Sequence, residues 1–425
     1  MSRPDGLSAY IAVTAAYWAF MLTDGALRML VLLHFHTLGF SPVQLAYLFV
    51  LYEIAGIITN LSAGWIAARF GLTTTLYLGL GLQIVALVAL STLDPGWSIT
   101  ASVIFVMGVQ GLSGVAKDLA KMSSKSAVKI LAPTEDAGLF RWVALLTGSK
   151  NAVKGLGFLL GAALLAVFGF MPSILAMAAI LAAIFMAVVT VMPPGLPTGR
   201  KGAAFSEVFS NNRNINWLSL SRIFLFGARD VWFVVGIPLY FYAVLSDGTE
   251  AGNQTAFFII GTFMAVWTIF YGAVQGWAPR ILRASTRSEL EILAQARLWG
   301  GVLLFVPLAL AGLVWAWPGP SPALTTAVVI GLMLFGGVFA VNSSLHSFLI
   351  LKFTHAKRVT LDIGFYYAAN AVGRLLGTLL SGIAYQTGGL FASLATAGLM
   401  LAFSLLAFGR ITYDKKPKGK NHGPI

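Results

Sequence analysis

Apolar runs recur along this whole chain, each broken by Gly, Pro or charge, and a run of about 20 residues is what an α-helix needs to cross a bilayer. So many in one chain leave few folds open. No water reaches backbone groups inside hydrocarbon, so each run must satisfy its own N–H and C=O groups as a helix. Only 10% of the 425 residues are charged and 58% are hydrophobic, against about a quarter charged in soluble domains. That balance excludes a soluble globular enzyme. The absence of Cys excludes disulfide-stapled and thiolate-bound metal proteins.

The runs predict twelve membrane helices near 10–38, 43–68, 72–92, 98–116, 138–168, 171–192, 216–245, 255–279, 289–316, 322–351, 360–386 and 389–410. The first run is longer than a signal segment and holds Asp24 and Arg28, so no cleavable signal is expected. Of the 28 Lys and Arg residues, those outside the runs all fall at the termini or in the loops after even-numbered runs. The positive-inside rule then predicts two cytoplasmic termini, and it accounts for the net charge of +13 without nucleic acid.

Residues 194–215 form the only long polar connection. They predict a cytoplasmic linker between an N-terminal six-helix bundle, 1–193, and a C-terminal one, 216–410, followed by a basic tail, 411–425. A repeated word supports duplication: Asn151-Ala152-Val153-Lys154-Gly155 in the fifth run is echoed by Asn370-Ala371-Val372-Gly373-Arg374 in the eleventh. Transporters with a site between two repeats are built this way. Gly64, Arg69 and Gly71 match the loop signature of the major facilitator superfamily. Ala68 stands where that signature has an acid, and Leu72 and Thr73 where it has bases.

Charge inside a membrane is costly unless paired or hydrated, so each buried charge is a functional candidate. At 1.5 Å per residue, Asp24, Arg28, Lys150, Lys154, Arg229, Asp230 and Arg374 lie roughly 18 to 27 Å deep. Arg222 is two turns nearer the cytoplasm on the face of Arg229, where it is expected to guide entry. The deep cations Arg28, Lys150, Lys154, Arg222, Arg229 and Arg374 outnumber the acids Asp24, Glu53 and Asp230. An anionic ligand is the simplest balancing partner, and guanidinium forks suit phosphate, arsenate or carboxylate. Arg28, Lys150, Lys154, Arg229, Arg374 and Arg222, with Asn151 and Asn370, are the substrate-binding candidates. Asp24, Glu53 and Asp230 are the coupling or gating candidates.

Structural roles compete for the same residues. Asp24 and Arg28, four apart, suit an ion pair on one helix or a gate. Lys150 and Lys154 cannot satisfy each other, so either acids on other helices or a ligand must. Arg229 and Asp230 diverge by about 100° on a helix, which predicts separate partners. Arg374 could rest on a backbone carbonyl. Glu53 with Asn60 suits helix glue or proton relay, and His346 with Asn342 a ligand or a neighbouring helix. The segment Lys117–Lys129 reads as an amphipathic extension at lipid headgroups. Motifs for a catalytic nucleophile or metal site are missing, so neither enzyme activity nor a cofactor is predicted.

Several charged words resemble one branch of the major facilitator superfamily, the ArsJ-type organoarsenical efflux permeases. They are Thr23-Asp24-Gly25-Ala26-Leu27-Arg28, Tyr52-Glu53-Ile54, Ser113-Gly114-Val115-Ala116-Lys117-Asp118, Gly148-Ser149-Lys150-Asn151-Ala152-Val153-Lys154 and Phe226-Gly227-Ala228-Arg229-Asp230-Val231-Trp232. The resemblance implies a bacterial inner-membrane exporter of 1-arseno-3-phosphoglycerate, giving arsenate resistance. It further implies partnership with a glyceraldehyde-3-phosphate dehydrogenase that makes this compound. A transporter of another organic phosphate is the alternative.

Overall fold

The computed structural model describes residues 4–131, 136–192, 210, 212–282, 287–317, 319–354 and 359–412. Among them every element is helical. α1 (Pro4–Thr37), α2 (Pro42–Tyr47), α3 (Val50–Leu90), α4 (Ile99–Leu131), α5 (Asp136–Phe168) and α6 (Phe170–Val191) form the first half. The second half opens with α7 (Arg213–Val231), a π-helical turn at Trp232–Gly236, and α8 (Ile237–Leu245). It continues through α9 (Glu250–Ile281), α10 (Glu289–Ala316), α11 (Pro322–Phe353) and α12 (Val359–Gly409).

Eleven helices are long and apolar enough to cross a membrane among the described residues, and one of them crosses twice. α12 runs for 51 residues, about 75 Å of helix against a bilayer core of about 30 Å. Gly388 and Gly389 interrupt it, the latter at φ 58 where only Gly is unstrained. α3, with 41 residues, is likewise turned at Gly71 (φ 72), at the end of the loop signature read from the sequence. With α3 already counted as two of the eleven and α12 crossing twice, twelve crossings result, and the described chain is an all-α, multi-pass membrane protein. Of the expected linker, only Ser210 and residues 212–215 are described, and α7 already begins at Arg213. The tail beyond Thr412 lies outside the described residues.

Glycine contacts reveal how the halves correspond. A Cβ on Gly157 would meet the Leu22 carbonyl at 2.5 Å, and one on Gly161 would strike the Ala26 backbone, so α5 lies directly on α1. In the second half Gly373 lies on the Ile223 backbone, and a Cβ on Gly377 would meet the Gly227 carbonyl at 2.6 Å. Spacings of four on both partners repeat the same close crossing, where small residues let backbones approach. The correspondence pairs Ala26 with Gly227, and therefore Arg28 with Arg229.

The halves meet along two seams. α5 packs on α9, with Gly272 against Asn151, and α3 packs on α12, with Gly364 against the Asn60 carbonyl. At the Thr37 end of α1, the Val43 N–H donates to Gln386 Oε1 (3.3 Å) and His36 meets the Tyr242 ring edge-on. The π turn sits just beyond Asp230, where Pro238 removes an N–H. Ser381 of α12 accepts from the Val235 and Gly236 N–H groups at 3.0 and 3.3 Å.

Candidate functional site

Five side chains from both halves form a ladder of alternating charge at the seam. Arg28 Nη2 of α1 lies 3.0 Å from Glu53 Oε1 of α3, and the same oxygen accepts from Arg374 Nη2 of α12 at 2.6 Å. Arg374 Nε lies 3.7 Å from Asp230 Oδ2 of α7, whose other oxygen accepts from Arg229 Nε at 2.6 Å. The order is cation, acid, cation, acid, cation. Its two ends, Arg28 and Arg229, are the pair that the glycine crossings make equivalent.

Aromatic faces support both ends. The Arg28 guanidinium lies 4.9 Å from the Phe49 ring and 5.3 Å from Tyr52, and that of Arg229 lies 5.0 Å from Phe226 and 5.7 Å from Phe339. Such contacts hold a cation without neutralising it.

A second cluster adjoins the ladder within the first half. The Tyr52 hydroxyl donates to Asp24 Oδ1 at 2.6 Å, and Lys154 Nζ lies 3.6 Å from Asp24 Oδ2. Lys117 Nζ sits 4.0 Å above the Tyr52 ring and 4.0 Å from Asp118 Oδ2. Asp118 also accepts from Thr59 at 2.5 Å and lies 3.5 Å from Lys121, which donates to Asn60.

Exposure divides these charges by sign. The carboxylates of Asp24, Glu53, Asp118 and Asp230 keep 1–3% of their side-chain surface, whereas Arg28, Lys117, Lys121, Lys154, Arg229 and Arg374 keep 10–27%. In each pair the cation is the more accessible partner. The accessible face of the cluster is therefore electropositive, even where every cation has an acid as its partner.

Several expectations from the sequence need correction. Asp24 and Arg28 do not pair with each other, because both side chains reach other helices. Arg229 and Asp230 do pair, since a long guanidinium stem curls back across the divergence of their Cβ atoms. Arg374 takes two carboxylates rather than a carbonyl. Lys154 is matched by Asp24, while Lys150 lies half-buried one turn away on α5. Lys117 belongs to the core of α4 and Lys121 to its margin, not to a headgroup extension. The side chains of Lys125, Lys129 and Arg141 lie outside the described residues.

Arg222 is buried rather than placed at an entrance. Among the described residues it has no carboxylate: it donates to Asn370 Oδ1 (3.3 Å) and to the Ser343 carbonyl (3.2 Å), between the Phe226 and Tyr366 rings. Ser343 also meets Gln275, which accepts from Asn151 of α5 at 3.3 Å. The two asparagines of the repeated word thus belong to one network across the halves, although the glycine crossings, which match Gly157 with Gly373, set Asn370 opposite Lys154 and not opposite Asn151. His346 and Asn342 make their contacts with other groups. Asn342 donates to the Ala296 carbonyl, and His346 stacks on Phe408.

Tyr52, Lys117, Asp118, Gln275 and Ser343 are site residues that the sequence reading did not select. For Lys117 and Asp118 a signal existed. The small and apolar residues continue past them through Leu119, Ala120 and Met122, so the helix does not end where the first charge appears.

No protein-family model matches the sequence, nor does any curated protein. Solved structures do match it in fold. The nucleoside transporter NupG, as a D323A mutant, superposes with a TM-score of 0.69 at 16% identity, covering 96% of this chain and 98% of that one. A POT-family transporter in complex with a thioalcohol-conjugated peptide gives a TM-score of 0.70 at 14% identity, with 94% of each chain covered. A structure of a proton-dependent oligopeptide transporter gives 0.65 at 12%, with 94% of this chain and 96% of that chain covered. At these identities the likeness is one of fold. Over nearly its whole length, the chain has the fold of these membrane transporters.

Proposed function

We propose that the chain transports organic anions by alternating access, and that it exports an organoarsenical phosphate ester, 1-arseno-3-phosphoglycerate, across a bacterial inner membrane. The single observation behind the anion reading is the division of exposure by sign: in each pair the cation is the more accessible partner. A phosphate, arsenate or carboxylate arriving there finds guanidinium and ammonium donors from both halves, namely Arg28, Lys154, Arg229 and Arg374. Each charge-assisted hydrogen bond is worth about 1.5–3 kcal/mol. A cationic cargo would meet like charge.

Alternating access fits the ladder. Glu53 with Arg374 is an ion pair between the halves, so an anion that takes Arg374 competes with Glu53 for it and loosens that seam. The arsenic-specific reading rests on the resemblance of the charged words, including Asp24 to Arg28 and Lys150 to Lys154, and on the absence of Cys, which disfavours thiolate binding of trivalent arsenic. Another organic phosphate remains the alternative cargo. Expression in an arsenic-sensitive bacterium together with a glyceraldehyde-3-phosphate dehydrogenase tests the reading. Protection against arsenate but not arsenite, dependent on the dehydrogenase, is expected. Equal protection without the enzyme would point to a different substrate.

A further inference from the structure

The four carboxylates paired with these cations are not held alike. Glu53 and Asp230 each grip an arginine at about the shortest ion-pair distance, 2.6 Å, and a guanidinium does not give up its proton in a protein. Asp118 is shared by Lys117, Lys121 and the Thr59 hydroxyl. Asp24 differs. Its Oδ1 takes the Tyr52 hydroxyl, while its Oδ2 is buried, makes no hydrogen bond, and has only the Lys154 ammonium 3.6 Å away.

The surroundings of Asp24 are otherwise complete. α3 presents Tyr52 and Glu53, and Glu53 is already held by Arg28 and Arg374. α4 presents Lys117, engaged with Asp118 and the Tyr52 ring. α5 presents Lys154, and α1 itself carries Tyr17 and Arg28, the latter turned to Glu53. Among the described residues Lys154 is the cation in ion-pair contact with Asp24 Oδ2, while Lys117 acts on Asp24 only at longer range, and Lys154 is also one of the partly exposed cations of the proposed anion site.

One ammonium cannot serve both partners at full strength. We infer that anion binding at Lys154 is coupled to proton uptake by Asp24: the ammonium moves to the anion, and a proton from water settles on the vacated Oδ2. The charge balances, because the carboxylate loses its counter-ion and gains a proton. The linkage is reciprocal. A protonated Asp24 releases Lys154, so acid tightens anion binding and the two ligands travel together. Export then carries one proton outward with each anion, so it draws on the anion's own gradient and on the negative charge left after that proton, and it works against the inward proton gradient.

This inference rests on the anion reading, and its test separates the two. Purified protein is titrated calorimetrically with 3-phosphoglycerate in two buffers of different ionisation enthalpy, which counts protons taken up per ligand bound. Asp24→Asn and Lys154→Gln are measured alongside, and the ligand's own protonation cancels in the difference. The wild type is expected to take up close to one proton more than either variant. Its affinity is expected to fall by up to about tenfold more per unit rise in pH. Either variant suffices if the other fails to fold. Binding with equal proton uptake in all proteins overturns the coupling and leaves the anion reading standing. No binding by the wild type at any pH overturns both.

Discussion

Glu53 and Arg374 share a 2.6 Å ion pair that ties α3 of one half to α12 of the other. Neither is a simple partner, because Glu53 also holds Arg28 and Arg374 also faces Asp230. Removing one member of a buried pair costs about 3–5 kcal/mol, so Glu53→Gln should lower the melting temperature clearly. The exchanged double variant, Glu53→Arg with Arg374→Glu, should not restore it. That exchange sets Arg28 beside a new cation and Asp230 beside a new acid. Recovery of wild-type stability would show that the ladder acts as an isolated pair.

Lys154 should behave in mutagenesis as one member of a pair with Asp24. Lys154→Gln strands the buried Asp24, and the loss should be largely recovered when Asp24→Asn is added. A double-mutant cycle on melting should return a coupling of about 0.5–3 kcal/mol. Additive losses would contradict the pairing.

Arg222 carries a buried charge whose partners are neutral. Burying a charge without a counter-ion is costly, so Arg222→Gln is expected to fold and melt at or above the wild-type temperature. Arg222→Lys, with fewer donors and no planar stacking on Phe226 and Tyr366, should melt lower than Arg222→Gln. The reverse order, measured by thermal unfolding in detergent, would indicate a counter-anion at Arg222.

Close crossings and open faces predict opposite outcomes for the same substitution. Gly161→Ala and Gly373→Ala drive a methyl into the backbones of Ala26 and Ile223, and should destabilise by at least the 1–3 kcal/mol typical of overpacking. Gly81→Ala meets nothing within 4 Å and should be neutral or stabilising by up to about 1 kcal/mol. Yield and melting of the three variants check this.

Topology follows from the loop charges and is open to reporter fusions. Fusions after Arg200 and after Lys420 should read cytoplasmic, and one at Gly248 external. Taking Lys117 and Lys121 out of the loops, as their places in α4 require, leaves the asymmetry in the same direction.

The fold was legible because its signals are local. Run length sets the crossings, and Ser41, Asn212, Thr249, Ser288 and Ser321 mark helix starts as side-chain caps. Gly157 and Gly161 could be read as a packing face for the same reason. The pairing of charges was not legible. Depth along a helix follows from counting, but which acid meets which base depends on crossings between helices far apart in sequence. Glu53 and Arg374 are separated by 321 positions, and no periodicity within α3 or α12 announces their contact. Arg229 with Asp230 shows the converse: backbone geometry sets Cβ directions, while a long flexible side chain decides the final partner.

Anion binding at the accessible face of the ladder is read out by ligand-induced stabilisation of the purified protein. With 3-phosphoglycerate, the melting temperature should rise in a concentration-dependent way, while neutral glycerol and uridine leave it unchanged. The rise should shrink strongly when Arg28 or Arg229, the two equivalent ends, is replaced by Gln. Stabilisation by uridine alone, or an anion response that survives the loss of both arginines, would overturn anion binding at the ladder.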